Sequence, residues 1–153
     1  MRESIGGTWI FSLVIIFIVL FSGYLAVSVN YSKAFKVKNG IVAIIEENEG
    51  LNSDAQEEIS TYLNGMGYYV YGTCQRSNEA SEDEKGYEPK DAQSGKYKYC
   101  IKITKPEGNN QVIPKAYYTV KVFFRLDLPI LGDLFTFPIS GETKAVYFAN
   151  DTN

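Results

Sequence analysis

Two cysteines carry the only chemistry that this 153-residue chain signals by residue type and spacing. Cys74 and Cys100 stand on either side of a polar, acidic stretch, Gln75 to Gly95, each in a segment rich in aromatic and β-branched residues. If those segments pair as antiparallel strands, the thiols meet at the base of the loop between them. A disulfide there would close about 27 residues and stabilise the fold by roughly 3 kcal/mol through lost chain entropy. Such a bridge persists only in an oxidising compartment. The alternative is two unrelated, reduced, buried thiols. Two cysteines are too few for a zinc cage or an iron–sulfur cluster made by this chain alone.

Other chemistry finds little support. The chain has no histidine, so no imidazole can activate a serine or hold a metal. Glu57 and Glu58 are neighbours on a predicted helix and point apart; they read as solvated, as do Glu46, Glu47 and Glu49. The glycines are scattered at predicted helix ends and turns and form no phosphate-cradling loop. Between Gln75 and Gly95 lie Glu79, Glu82, Asp83, Glu84, Glu88 and Asp91, against Arg76, Lys85 and Lys90. These acids lack the alternating spacing of a calcium-binding EF-hand loop and read as an exposed, flexible loop. With 15 basic and 18 acidic residues the formal net charge is -3, which argues against nucleic acid as a partner. The expectation is a protein that is not an enzyme and has no cofactor or metal. The twelve tyrosines suit a half-buried pleated surface better than a reactive centre.

The apolar residues are unevenly distributed, and this sets the elements. From Trp9 to Val29 no residue is charged. A helix of that length spans about 30 Å, the thickness of a bilayer's hydrocarbon core. Its polar residues, Ser12, Ser22 and Ser28, can return their hydroxyls to carbonyls of the preceding turn. Trp9 at one end, with Tyr24 and Tyr31 near the other, occupy the places of interfacial aromatics. The run is longer than the apolar core of a signal peptide, and no Ala-x-Ala follows it, so a retained span is expected over a cleaved leader.

The helix is expected to continue beyond the span, from about Thr8 to Glu47, with Gly40 as a weak point. Tyr31, Ala34, Phe35, Ile41, Val42 and Ile45 recur at three- and four-residue steps and form an apolar stripe. Gly50 ends this helix. Ser53 reads as the N-cap of a second, short helix, with Gln56 completing a capping box and Ile59, Leu63 and Met66 on its inner face. Gly65 and Gly67 close it.

Strands follow: Tyr68 to Cys74; Lys96 to Thr104, with Tyr97, Tyr99, Ile101 and Ile103 facing in; and Tyr117 to Leu128, with Val120, Val122, Phe124, Leu126 and Leu128 facing in. A turn at Pro129 to Asp133 leads to Leu134–Ser140 and Glu142–Phe148, one bent strand or two short ones. Alternation on one face predicts an antiparallel sheet covered on one side and wet on the other. Cys100 falls on the lysine side of its strand, which puts the bridge on the wetter face. The fold class is therefore α+β: a long N-terminal transmembrane helix leading into a small domain in which a second short helix packs on a four- or five-stranded antiparallel sheet.

The organisation is a tail over 1–8, a transmembrane helix over 9–30, its amphipathic continuation over 31–50, an extracytoplasmic domain over 51–149 containing the acidic loop 75–95, and a tail over 150–153. The cysteines place the domain outside the cell membrane. Lys33, Lys36 and Lys38 at the membrane exit pull the other way, because cytoplasmic flanks usually carry the positive charge.

Several segments also carry a likeness to a known class. They are Gly6-Gly7-Thr8 leading into the apolar run; Val29-Asn30-Tyr31-Ser32-Lys33-Ala34-Phe35 at its exit; Gly67-Tyr68; Val120 to Phe124; Leu128 to Gly132; and Ile139 to Thr143. In outline the chain resembles the pilins and pseudopilins of type IV filament systems, in particular the TadE/TadF-type pseudopilins of tight-adherence machines in Gram-positive bacteria. The helix lacks the acid that mature pilin helices of that class carry, so the resemblance implies a minor or non-polymerising component rather than a major pilin.

It also implies a non-catalytic subunit of a surface filament or secretion apparatus. The expected partners are the lipid bilayer and other pilin-like or secretion-apparatus membrane subunits, in a homo- or hetero-oligomer. On that reading Tyr31, Phe35, Ile41, Val42 and Ile45 form the helix-packing interface. Charging Phe35 or Ile41 would then release partner subunits and leave the sheet folded. Two other readings stand beside it: a membrane-tethered module that displays a ligand-binding face, and an accessory membrane protein of a conjugative or secretion element.

Overall fold

A computed structural model describes residues 2–75, 84–105, 115–128 and 132–147. Helix α1, Arg2–Glu47, is continuous over 46 residues, or about 70 Å at 1.5 Å per residue. It holds no proline and only four glycines. The Ser22 hydroxyl donates to the Ile18 carbonyl at 2.8 Å, the back-bond expected of a serine in an apolar helix. Gly40 does not break α1. Its missing Cβ makes room for the Tyr62 ring, whose atoms come within 2.3 Å of where that carbon would be. The Tyr62 hydroxyl donates to the Lys36 carbonyl.

The end of α1 differs from expectation by one residue. Gly50 donates to the Ile45 carbonyl at 2.9 Å, and Glu49, not Gly50, takes the left-handed position, with φ 52°. This is a Schellman-type closure with glutamate where glycine is usual. Helix α2, Ser53–Gly65, also starts one residue early. Asn52, not Ser53, is the cap, and its side chain accepts from the Ala55 N–H at 2.7 Å. Asparagine and serine cap about equally well, so composition did not separate them. At the other end Gly67 has φ 57°, and Tyr68 and Gly67 donate to the carbonyls of Leu63 and Asn64. That is the full Schellman pair, and it turns the chain towards the sheet.

The strands are β1 Gly72–Thr73, β2 Lys85–Pro89, β3 Lys96–Thr104, β4 Lys115–Leu128, β5 Gly132–Glu142 and β6 Val146–Tyr147. All pairings are antiparallel: β1 and β2 with β3, β3 with β4, and β5 and β6 with β4. Tyr97 pairs with Gly72 and with Pro89, so β1 and β2 flank β3 on opposite edges there. The architecture is the expected α+β, a long helix leading into a small antiparallel sheet with a second helix.

The core lies where α1 crosses the sheet. Ala34, Val37, Ile41, Ile44 and Ile45 are buried against Tyr99, Ile101, Ala116, Tyr118, Val120 and Val122, and α2 adds Ala55, Ile59 and Leu63.

Three expectations need correction. The segment Tyr68 to Cys74 is a ladder only at Gly72–Thr73, because Tyr68 turns inward instead. β3 pairs with β4 only as far as Tyr99↔Val122. At the next residue of β4 the buried Tyr68 hydroxyl takes over both roles of a strand partner. It donates to the Phe123 carbonyl and accepts from the Phe123 N–H at 2.8 Å. Second, the stretch 75–95 is not all loop: Lys85–Pro89 is strand β2, in register with β3 from Lys85↔Ile101 to Pro89↔Tyr97. Residues 76–83 lie outside the described residues.

Third, the lysine side of the sheet is covered at Lys98 and Cys100, while Lys96 stays exposed. Lys98 is 6% exposed and Cys100 is fully buried. A buried ammonium needs a carboxylate, and the acidic stretch supplies them: Glu88 pairs with Lys98, and Glu84 with Lys121. The predicted turn at Pro129 to Asp133 falls largely outside the described residues, as does the tail 150–153; Gly132 already opens β5.

Candidate functional site

The disulfide expected from the sequence is formed. Cys74 and Cys100 are joined with their Cα atoms 5.7 Å apart, within the ordinary span of such bridges. The bridge ties the segment that leaves β1 to the middle of β3. Its Cys100 end has no exposed surface, and its Cys74 end is partly exposed.

The five residues of the expected helix-packing interface divide in two. Ile41 and Ile45 are fully buried beneath the chain's own sheet, and Val42 packs partly buried against the same core. They are not available to another subunit, and charging Ile41 would not leave the sheet folded. The reason is economy of burial: a sheet with one apolar face takes the nearest amphipathic helix as its cover. Tyr31 and Phe35 remain 48% and 42% exposed.

Tyr31 and Phe35 open a run of aromatic rings that crosses from α1 to the sheet. Tyr31 stacks with Phe35 and meets Phe124 edge-on at 5.7 Å. Phe124 stacks with Phe137 at 5.3 Å, and Phe137 contacts Phe135. Phe135 and Phe137 are themselves exposed. The sequence pattern put Phe124 inward but left Phe135 and Phe137 unassigned. Neighbouring aromatics on different elements leave no signal in a linear pattern.

Polar contacts lock the helix to the domain at the same level. The Asn30 side-chain amide donates to the Arg125 carbonyl at 3.1 Å. The Lys33 ammonium donates to the Gly67 carbonyl at 2.9 Å. Lys38 lies over the Phe35 ring, 4.2 Å from its centre, and its stem fills the space left by the absent Cβ of Gly141. The segment Asn30–Lys38 is thus a clamp between α1 and the sheet. Two of the three lysines that bear on orientation have packing roles.

The opposite half of α1 presents a different surface. Every side chain from Trp9 to Ser22 is exposed, and none packs on the domain. The helix from Gly6 is long and apolar enough to cross a membrane once.

Burial acts on the hydroxyls of four tyrosines. Burial pushes the Tyr68 hydroxyl far above its ordinary range, outweighing its bond to the Phe123 backbone. Tyr99 moves the same way through burial, then the charge of Glu88. Burial also raises Tyr87 and Tyr118. Each stays protonated and serves as a donor or a packing ring. Among the described residues no three Cys, Asp or Glu side chains converge as metal ligands would. Glu84 and Glu88 are held by lysines, and Glu79, Glu82 and Asp83 of the weighed calcium reading lie outside the described residues.

Comparison with protein-family models, with curated proteins and with solved structures finds no match for this chain.

Proposed function

We propose that the protein is a non-catalytic, membrane-anchored, pseudopilin-like subunit that assembles with other membrane subunits through the apolar half of α1. The observation that carries this reading is the single helix Arg2–Glu47, bare and apolar over its first half and fastened to a sheet over its second. A flexible tether would suffice to keep a domain near a membrane. A stiff helix built into the domain's core transmits the position of one to the other, which is what packing side by side in an assembly requires. The disulfide supports a domain on the oxidising side of the membrane.

Both native cysteines are bridged, so single cysteines introduced at Leu13, Phe17, Leu20 and their neighbours give a clean test. In membranes of cells that make the full chain under mild oxidation, the reading predicts covalent adducts whose yield repeats with helical period along α1. Absence of adducts at every position from Ile10 to Leu25 would overturn it. In that case the helix is a lone anchor.

A further inference from the structure

The aromatic run lies at a particular depth. Contacts along α1 show how the sheet is hung on it. Tyr118 sits beside Gly50, Lys144 beside Glu46, Gly141 beside Lys38, Phe124 beside Tyr31 and Arg125 beside Asn30. β4 therefore runs antiparallel to α1, and its later residues approach the apolar run. Arg125 is already level with Asn30, the last residue of the expected span. β4 continues for three more residues to Leu128 before its partner β5 begins at Gly132, about 10 Å of strand. Phe135 pairs with Leu126, one residue beyond Arg125 on the side towards the span, and Phe137 pairs with Phe124.

The exposed rings of Phe135, Phe137 and Tyr31 thus stand where the apolar helix ends. An exposed aromatic cluster needs a covering medium, and the zone at that level is the headgroup layer. Tryptophan and tyrosine are favoured there, and phenylalanine serves on apolar faces that rest at the headgroup boundary.

We infer that the β4–β5 end of the sheet, through Phe135, Phe137 and Tyr31, is a second membrane contact that rests the domain on the headgroup layer of the bilayer that α1 crosses. The occupant is lipid rather than a second copy of the chain. The cluster is continuous with the apolar surface of α1 and lies at the depth where that surface ends, the level of the headgroup layer. The contact is made by uncharged rings, so zwitterionic lipid suffices. With two contacts the domain cannot swing about the membrane exit, and its outer face is held at a set orientation to the membrane. This inference rests on the membrane span of the proposed function.

The test uses the full chain in phosphatidylcholine vesicles, plain or with acyl chains brominated near the headgroup. Trp9→Phe removes the only tryptophan. Into that background Phe135→Trp places a reporter on the cluster, Phe17→Trp one inside the span, and Tyr117→Trp one at the far end of β4. The expected result is a blue-shifted emission and loss of most of it in brominated vesicles for Phe135→Trp and Phe17→Trp, with Tyr117→Trp unchanged. Phe137→Trp is a second reporter on the cluster. Loss at Phe17→Trp with none at either cluster reporter overturns the contact and leaves the span standing. No loss at any reporter overturns both. Blue-shifted cluster emission that bromine does not quench, and that grows with protein concentration, means that a second copy covers the rings and likewise overturns the contact.

Discussion

The two halves of α1 share one backbone and no break, yet they answer to different surroundings. From Trp9 to Val29 the apolar residues go all the way round the helix, and nothing in the protein covers those from Trp9 to Ser22. From Ala34 to Ile45 they keep to one stripe, of which Ala34, Val37, Ile41, Ile44 and Ile45 are buried beneath the sheet and α2. A helix that is apolar all round is suited to lipid, and one with an apolar stripe is suited to a globular neighbour. The continuity of the helix says nothing about this; the distribution of side chains around it says nearly everything. The change occurs within the segment Asn30–Phe35, where the polar clamp and the aromatic run lie together.

The division can be broken most forcefully by placing a charge in each half. Ile41→Glu buries a carboxylate without a partner in the core, with an expected cost of about 4–5 kcal/mol. The near-ultraviolet circular dichroism of the sheet should disappear, while the protein still resists carbonate extraction from membranes. Ile16→Glu should do the reverse. The folded domain survives, and insertion is disfavoured by about 2.5–3.5 kcal/mol for a charge at the bilayer centre. If either variant shows the other's behaviour, the two halves are not separate in the way described.

Removing the bridge is the next largest step. Cys74→Ser with Cys100→Ser releases a cross-link spanning 26 positions and should cost the domain about 3–4 kcal/mol. This is readable as a lower thermal midpoint in detergent with membrane association unchanged.

Tyr68→Phe sharpens the comparison from the sheet side. It leaves the Phe123 N–H and carbonyl without their partner, at an expected cost of about 1–3 kcal/mol in denaturant titration. The same hydroxyl sets an alkaline limit. Its folded pKa is raised by burial, as are those of Tyr99, Tyr87 and Tyr118. The unfolded chain therefore loses these protons first. Stability is full below about pH 10, the unfolded tyrosine value, and falls progressively above it. Tyr68→Phe should flatten that decline when unfolding is followed against pH. Smallest of all, Glu49→Gly relieves a left-handed glutamate and should raise stability by a few tenths to about 1 kcal/mol, measured as a rise in midpoint.

Much of the fold was legible because it depends on local pattern. The second helix, β3, β4 and the cysteine pairing all followed from periodicity and spacing. What failed, failed for identifiable reasons. Lys-Gly-Tyr-Glu-Pro shows almost no strand pattern, and it becomes β2 because β3 offers an edge and Lys98 needs Glu88. Tyr68 to Cys74 looked like a full strand. A single hydroxyl reaching across to β4 replaced the ladder it would have formed. Of the expected interface, Ile41, Val42 and Ile45 were correctly seen as a stripe, but what the stripe faced was not written in it.

The sequence by itself determined that the chain holds an apolar helix of membrane length and that this helix runs on into an α+β domain. These are consequences of side-chain period and composition along a short stretch, which act before any distant contact forms. Only the tertiary structure decided that the stripe of α1 serves its own sheet, that the acids between β1 and β3 neutralise buried lysines, and that Tyr31, Phe35, Phe124, Phe135 and Phe137 form one surface. Each of these joins residues far apart in the chain, and a contact of that kind depends on how the elements stack rather than on what any one of them contains.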